Sequence, residues 1–108
     1  MERSRGSEPA TPDDVWNRVW SADGNANEFA MLGDDYNMSY ECGWLRALTW
    51  VLKLEGRPER KPDTLSLRPA EEIERRLKSL GNTDNPSVLG ESHGLLWVLG
   101  KLEDQYWR

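Results

Sequence analysis

Hydrophobic side chains recur at helical spacing in four stretches of the chain. The first helix is predicted to begin at Thr11, which can cap it, with Pro12 at the first helical position, and to end near residue 24. No stretch shows the strict alternation of a half-buried strand, so the pattern predicts an all-α fold, a compact bundle of about four helices. The other three helices are predicted over about 39–55, about 68–80, and from between 86 and 91 to about 106.

A polar segment separates the first two predicted helices. Residues 22–37 contain two glycines and four acidic residues but no basic residue. This composition predicts a long acidic loop after the first helix. Its apolar residues Phe29, Met31 and Leu32 are expected to anchor the loop to the core.

The stretch ALTWVLKLEG at 47–56 has a close echo in GLLWVLGKLED at 94–104. With about 100° per residue, Trp50 and Trp97 both lie away from the apolar stripe of their helices. Each Trp could fill a second buried seam, or both could belong to an exposed aromatic patch that binds another protein. A homodimer would satisfy both interpretations, because a second subunit would then form the seam.

The two similar helices are expected to pack antiparallel as a central pair. Gly90, Gly94 and Gly100 leave little side chain on parts of the last helix and would permit close approach. The matched stretch is too short to establish a repeat architecture, because such repeats have periods of about 20–50 residues.

The binding interpretation assigns anchors and steering charges. Tryptophan side chains would anchor the patch, an arginine and a leucine would extend it, and two aspartates would steer a partner toward it. The candidate protein-binding residues are Trp50, Trp97, Trp107, Arg46, Leu54, Asp34 and Asp35.

Length and charge set the organisation and the environment. Residues 1–10 are predicted to be a disordered tail, and residues 11–108 a single helical domain. The net charge of -5 disfavours direct binding to nucleic acid, which needs a basic face. Neither a signal peptide nor an apolar run of about 18 residues is visible, so a cytoplasmic protein without a membrane partner is expected.

Candidate catalytic and metal-binding residues are few. Residues 23–34 place oxygen-bearing side chains at several EF-hand positions, but Glu28 occupies the sixth position, where the turn needs Gly, so no metal is predicted. Cys42 and His93 are the only residues of their types, and no surrounding motif matches a cysteine hydrolase. No cofactor-binding motif is present. A non-enzymatic protein is therefore expected, with a small enzyme using Cys42 and His93 as an alternative.

The phrase GWLRALTWVL at 43–52 resembles helices of the "ALxWVLG" type in small uncharacterised accessory proteins of actinobacterial phages. The use of ten Arg against four Lys suits a high-GC genome. The first copy departs from the phrase at Lys53, where Gly is usual, and the second copy keeps Gly100. The resemblance assigns no functional residues.

The resemblance implies a phage-encoded modulator or inhibitor that binds a host protein complex, for example a defence system, and acts by occlusion. The partner would be a host or phage protein, and the location the host cytoplasm. A homo-oligomeric structural or assembly component of a phage is the alternative function.

Overall fold

The computed structural model of the protein describes residues 9–54, 60–81 and 83–102. Within these ranges the regular secondary structure is entirely helical, which confirms the predicted all-α class. Residues 1–8 of the predicted tail and residues 55–59, 82 and 103–108 lie outside the described residues. The last helix, predicted to reach about residue 106, already ends at Val98. The four helices are α1 (Pro12–Met31), α2 (Asp35–Val51), α3 (Ala70–Leu80) and α4 (Pro86–Val98).

Local capping chemistry fixes where three helices begin. Thr11 Oγ1 accepts the N–H of Asp14, and the Asp14 carboxylate accepts the N–H of Thr11, both at 3.1 Å, so α1 starts with a complete capping box. Asp34 caps α2 by accepting the N–H of Asn37, and Asn85 caps α4 by accepting the N–H of Ser87. These side chains satisfy N–H groups that a helix end otherwise leaves unpaired.

The predicted long acidic loop is instead mostly helical. α1 continues through Gly24 to Met31, and only residues 32–34 separate it from α2. Ala22 and Ala26, one turn apart, are buried, so the segment has a narrow apolar face that docks on the bundle. One glycine inside a helix costs about 1 kcal/mol relative to Ala, too little to end a helix that has this docking face.

The core lies between α1, α2 and α4, with one buried side chain from α3. On α2, the apolar stripe predicted from helical spacing is largely the buried face, whereas on α4 only Leu95 and Val98 among the described residues of the predicted stripe are buried and Trp97, expected away from it, is buried too. The fully buried hydrophobic residues include Val15, Val19, Trp44, Ala47, Leu48, Val51, Ile73, Leu95, Trp97 and Val98.

α2 and α4 form the expected central pair, but they run parallel rather than antiparallel. Gly43 packs against Gly90, and Ala47 packs against Gly94, so residue numbers rise together along the two helices. Both pairs have the offset of 47 residues that relates the two copies of the echoed sequence. Equivalent residues therefore face each other across an approximate two-fold axis that runs along the helix pair.

Glycine is required at this crossing. A Cβ on Gly43 would overlap the carbonyl oxygen of Ser87, and a Cβ on Gly90 would overlap the carbonyl oxygen of Tyr40. These two contacts are also related by the offset of 47. The backbones approach closely enough for Cα–H groups to face carbonyl oxygens, a weak attraction that recurs at close helix crossings.

The C-terminal ends of α2 and α4 are also related by the offset of 47 residues. The N–H of Leu54 donates to the carbonyl of Thr49, and the N–H of Lys101 donates to the carbonyl of Leu96, as in a Schellman cap. The residue that needs a left-handed backbone is Lys53 in one copy, with φ +63°, and Gly100 in the other, with φ +80°. The echo in the sequence therefore encodes a shared helix end as well as a shared packing face.

The segments that lead into α1 and α3 are held in equivalent places. The N–H of Arg68, two residues before α3, donates to the carbonyl of Val51 at 2.9 Å. The N–H of Ala10, two residues before α1, donates to the carbonyl of Val98 at 2.9 Å. Each helical hairpin, α1–α2 or α3–α4, thus begins against the end of the other hairpin.

Replacing Gly90 by Ala should destabilise the protein strongly, because the new Cβ meets backbone atoms that cannot move without separating α2 from α4. We expect a loss of at least about 3 kcal/mol in the free energy of unfolding, the upper part of the range for overpacked sites. Urea denaturation monitored by circular dichroism measures it.

The matched control is Gly24→Ala. Gly24 lies inside α1, and no atom lies within 4 Å of the position that an added methyl group would occupy, so this variant should gain roughly 0.5–1 kcal/mol. Equal stability of the two variants would contradict the close parallel crossing.

A buried ion pair joins α1 to α2. Arg18 and Glu41 are both 0% exposed, and each terminal nitrogen of Arg18 lies 3.4 Å from Glu41 Oε1. The Arg18 guanidinium also lies over the ring of Trp44, 4.2 Å from its centroid. Removing one partner of such a pair leaves a buried charge without compensation, which is more costly than removing both.

We therefore expect Glu41→Gln to lower the free energy of unfolding by about 3–5 kcal/mol. The double variant Arg18→Met with Glu41→Leu should recover part of this loss, because neither charge of this pair then remains buried. Thermal and urea unfolding of both variants give the comparison. A double variant less stable than Glu41→Gln would contradict the importance of the uncompensated charge.

Candidate functional site

Trp97 is part of the core rather than of an exposed patch. It is 1% exposed, and its ring lies 5.8 Å from the ring of Trp44. α4 has buried residues on several sides because it lies against α2 and α3, so a Trp off its main apolar stripe still meets protein. Trp97 therefore fills a second buried seam, as one of the two interpretations of the sequence expected. Its assignment as a surface anchor is wrong, because its side chain is buried.

Trp50 is half-buried and covered by arginines. The Arg68 guanidinium lies 4.5 Å from the centroid of the Trp50 ring, and that of Arg76 lies 5.5 Å from it. Arg68 Nε also donates a 2.6 Å hydrogen bond to the Trp50 carbonyl. Leu54 is half-buried against the core, and Trp107 lies outside the described residues. Trp50 and Trp97, the two predicted aromatic anchors that the structure describes, are therefore not brought together on one surface.

Arg46 joins three helices through a shared carboxylate. Its Nε donates to Glu91 Oε1 at 2.9 Å, while Arg76 Nε donates to Glu91 Oε2 at 2.7 Å. Glu91 is 2% exposed, so one buried carboxylate of α4 binds an arginine of α2 and an arginine of α3. Charge-assisted bonds of this kind are strong and directional, and they give Arg46 a structural role.

His93 has Tyr40 as its polar neighbour. Tyr40 Oη lies 2.7 Å from His93 Nδ1, and the two rings meet edge-to-face with centroids 5.6 Å apart. Burial lowers the pKa of the His93 imidazole, which favours the neutral ring that can accept the phenol proton. Cys42 is a half-buried free thiol. The described contacts of His93 thus link it to a phenol rather than to the thiol that sequence reasoning had paired with it.

An open groove of about 490 Å³ lies between α3 and α4. Leu77, Leu89 and Leu96 supply its apolar lining, and Lys78 and His93 supply polar atoms. Its volume falls within the range of small-molecule sites, but the groove is shallow and open to solvent. Its polar groups, with one neutral imidazole, do not form an evident catalytic set.

Metal-binding chemistry has no structural support among the described residues. Within 9–54, 60–81 and 83–102, no three His, Cys, Asp or Glu side chains lie close enough together to hold a metal ion. The segment with EF-hand-like spacing belongs mainly to α1, where its oxygen-bearing side chains point in different directions around a helix.

The α1–α2 hairpin is longer than the α3–α4 hairpin at its turn. α1 has 20 residues against 11 in α3, and α2 has 17 against 13 in α4. At the end away from the turn, the two hairpins are equivalent. The additional length of the α1–α2 hairpin therefore lies at its turn, in residues 23–38. We call this segment the hairpin tip. The nine additional residues of α1 correspond to about 13 Å of helix.

The hairpin tip carries the most exposed apolar side chains of the described chain. Met31 is 87% exposed, Leu32 74% and Tyr36 54%. The expectation that Met31 and Leu32 anchor a loop to the core is therefore wrong. They lie where the chain turns from α1 into α2, and a helix turn can bury only one side of itself.

Negative charge accompanies these apolar residues. The hairpin tip contains Asp23, Glu28, Asp34 and Asp35 and has no Lys or Arg. The Asn37 side chain and backbone N–H both donate to the Asp34 carboxylate, at 2.7 and 3.1 Å, and hold the pKa of that carboxyl below its usual value. Asp34 is thus the cap of α2 as well as a predicted steering charge, whereas Asp35 is exposed in the first turn.

Sequence reasoning found the two aspartates but missed the apolar residues beside them. The signal was present in Gly33 followed by Asp34, a helix stop directly before a helix cap. Gly33 has φ +73°, the left-handed conformation that such a stop requires. Reading this pair as a tight turn would have placed Met31, Leu32 and Tyr36 at a hairpin end.

Comparison with protein-family models, curated proteins and solved structures found no match for this chain. In the part of the chain that the structure describes, none of the helices combines the length and the apolar character needed to cross a membrane. Function must therefore be inferred from the surface of the protein itself.

The half-buried imidazole of His93 predicts a loss of stability in acid. The folded-state pKa of His93 lies below the ordinary value of 6.5, so the unfolded chain binds more protons between the two pKa values. The contribution of His93 to the free energy of unfolding therefore has its full value above about pH 6.5. It decreases as the pH is lowered from about 6.5 toward the folded-state pKa. Urea denaturation between about pH 7 and pH 5 measures the effect.

His93→Gln should remove this part of the pH dependence. Tyr40→Phe should keep it, because burial rather than the hydrogen bond lowers the pKa. An unchanged acid-side slope in His93→Gln would contradict the assignment to His93.

Proposed function

We propose that the protein is a non-enzymatic binding module that docks on another protein through its hairpin tip. The observation that carries the proposal is the exposure of Met31, Leu32 and Tyr36 at one end of the molecule. Clustered exposed apolar side chains often mark interaction sites on soluble proteins, whereas single ones are ordinary. These three residues lie within six positions of one another at a single turn.

The hairpin tip has no counterpart in the α3–α4 hairpin. The bundle is formed by the part of the molecule in which the two hairpins are equivalent, through α2, α4 and the segments that cap them. The additional turns of α1 and α2 contribute one buried hydrophobic residue, Ala26, to the core. Neighbouring exposed apolar side chains that contribute little to folding are better explained by binding than by stability.

The turn is well ordered for binding. The N–H of Asp34 donates to the carbonyl of Phe29 at 2.9 Å, and the N–H of Gly33 donates to the carbonyl of Ala30 at 3.1 Å. With the Asp34 cap on α2, these bonds hold both helix ends in one arrangement. A surface that is already ordered loses less conformational entropy on association. Methionine and tyrosine are also enriched at protein interfaces.

Occlusion is the mechanism that suits such a surface. A narrow hairpin end that inserts an apolar group into a partner would cover the partner's own binding surface without any chemical step. The resemblance of residues 43–52 to phage accessory proteins suits a modulator or inhibitor of a host complex, acting in the host cytoplasm.

Site-specific photocrosslinking tests the proposal. A photoreactive phenylalanine analogue replaces Tyr36 in the full chain, which is expressed in its native cells and irradiated. The matched control carries the same analogue at Asn17, an exposed position of α1 outside the hairpin tip. We expect a discrete crosslinked protein from position 36 but not from position 17.

The variant Leu32→Asp should abolish this crosslink without unfolding the protein. Because Leu32 is 74% exposed, its replacement should change the free energy of unfolding by no more than about 0.5 kcal/mol. A crosslinked species with the mass of two copies would instead favour the homo-oligomeric alternative. The absence of any crosslink specific to position 36 would refute binding through the hairpin tip.

A further inference from the structure

We infer that the partner surface that receives the hairpin tip is an apolar pocket with a basic rim. This inference rests on the proposed function and names the chemistry of its partner. It follows from the placement of exposed acids around Met31, Leu32 and Tyr36 and from the absence of basic residues along the hairpin tip.

The charge of the hairpin tip is one-sided over a long stretch. No Lys or Arg occurs between Arg18 and Arg46, although several acidic residues do. Elsewhere on the described surface, acids lie beside bases, as Asp13 does with Lys61 at 2.7 Å and Glu72 with Arg68 at 3.1 Å. Along its sequence the hairpin tip therefore carries only negative charge, whereas the charges elsewhere on the described surface are mixed.

The acids lie next to the apolar residues. Glu28 lies one helical turn before Leu32, the residue directly after α1, and Asp35 directly precedes Tyr36 on α2; both acids are exposed. Any pocket that covers Leu32 and Tyr36 must also bring protein close to these carboxylates. This arrangement, an apolar centre with charged neighbours, matches the organisation of protein interfaces.

A neutral apolar partner would fit poorly. Burying a carboxylate without a compensating partner is costly, whereas opposite charges at the rim of an interface offset that cost and speed association. Nucleic acid and anionic lipid surfaces would be repelled, because they carry the same sign of charge as the hairpin tip. Lysine and arginine side chains around the receiving pocket are the complementary arrangement.

The test measures association and dissociation rates between the full chain and the protein captured by crosslinking at position 36, after both have been purified. The charge variant is Glu28→Gln with Asp35→Asn, which leaves the Asp34 cap intact. Its matched control is Asp63→Asn with Glu71→Gln, which removes the same charge from exposed positions outside the hairpin tip. The apolar variant is Leu32→Ser.

At about 0.05 M salt, we expect the charge variant to associate about three- to tenfold more slowly than the control variant, with little change in dissociation. The difference should largely disappear at about 1 M salt, where the screening length is about 3 Å. Leu32→Ser should act mainly by faster dissociation, because it removes buried apolar contact.

The outcomes separate this inference from the proposed function. If Leu32→Ser weakens binding while association is insensitive to salt and to the charge variant, the hairpin tip binds but the basic rim is wrong. Association that becomes faster as salt is added would also overturn the basic rim. If neither Leu32→Ser nor the charge variant changes binding, both the inference and the proposed function fail.

Discussion

The close parallel crossing of α2 and α4 is the constraint on which the rest of the structure depends. It requires glycine at positions 43 and 90, because a side chain at either would overlap a backbone carbonyl. Since the two helices run in the same direction, the chain must return between them, and α3 lies on that return path. Both hairpin turns then lie at one end of the molecule, and both capped helix ends, with the segments that dock on them, lie at the other.

Arginines hold the peripheral helices to this central pair. Arg18 is fully buried with Glu41, and Arg76 reaches the buried Glu91 that also binds Arg46. The two described tryptophans that suggest a binding surface in the sequence also pack within the fold. Trp97 lies in the core, and arginine side chains cover the ring of Trp50. These side chains serve the fold, and the proposed docking surface is instead the part of the α1–α2 hairpin that extends beyond the equivalent core.

The hairpin tip differs from the bundle in both composition and energetics. Its helices are continuous with the bundle, and Asp34 caps the start of α2, but its side chains Met31, Leu32 and Tyr36 face solvent. Exposing Met31, Leu32 and Tyr36 gains nothing for folding, and the neighbouring carboxylates would be costly to bury against a neutral surface. The proposed apolar pocket with a basic rim would cover the exposed apolar side chains and would also pair with the neighbouring carboxylates. In this proposal, the acidic composition of residues 22–37 serves recognition of a basic partner surface.

The sequence by itself determined the helical class, the capped start of α1, the end of α3 near residue 80, and most of the buried face of α2, because caps and helical periodicity are local properties. It also marked Gly90 and Gly94 as sites of close approach and Asp34 and Asp35 as charges of interest. Only the tertiary structure decided that α2 and α4 run parallel, that Trp97 is buried and that Met31 and Leu32 are exposed. Those properties depend on which distant segments meet, and a helix's own pattern shows that a face can be buried without showing what will cover it.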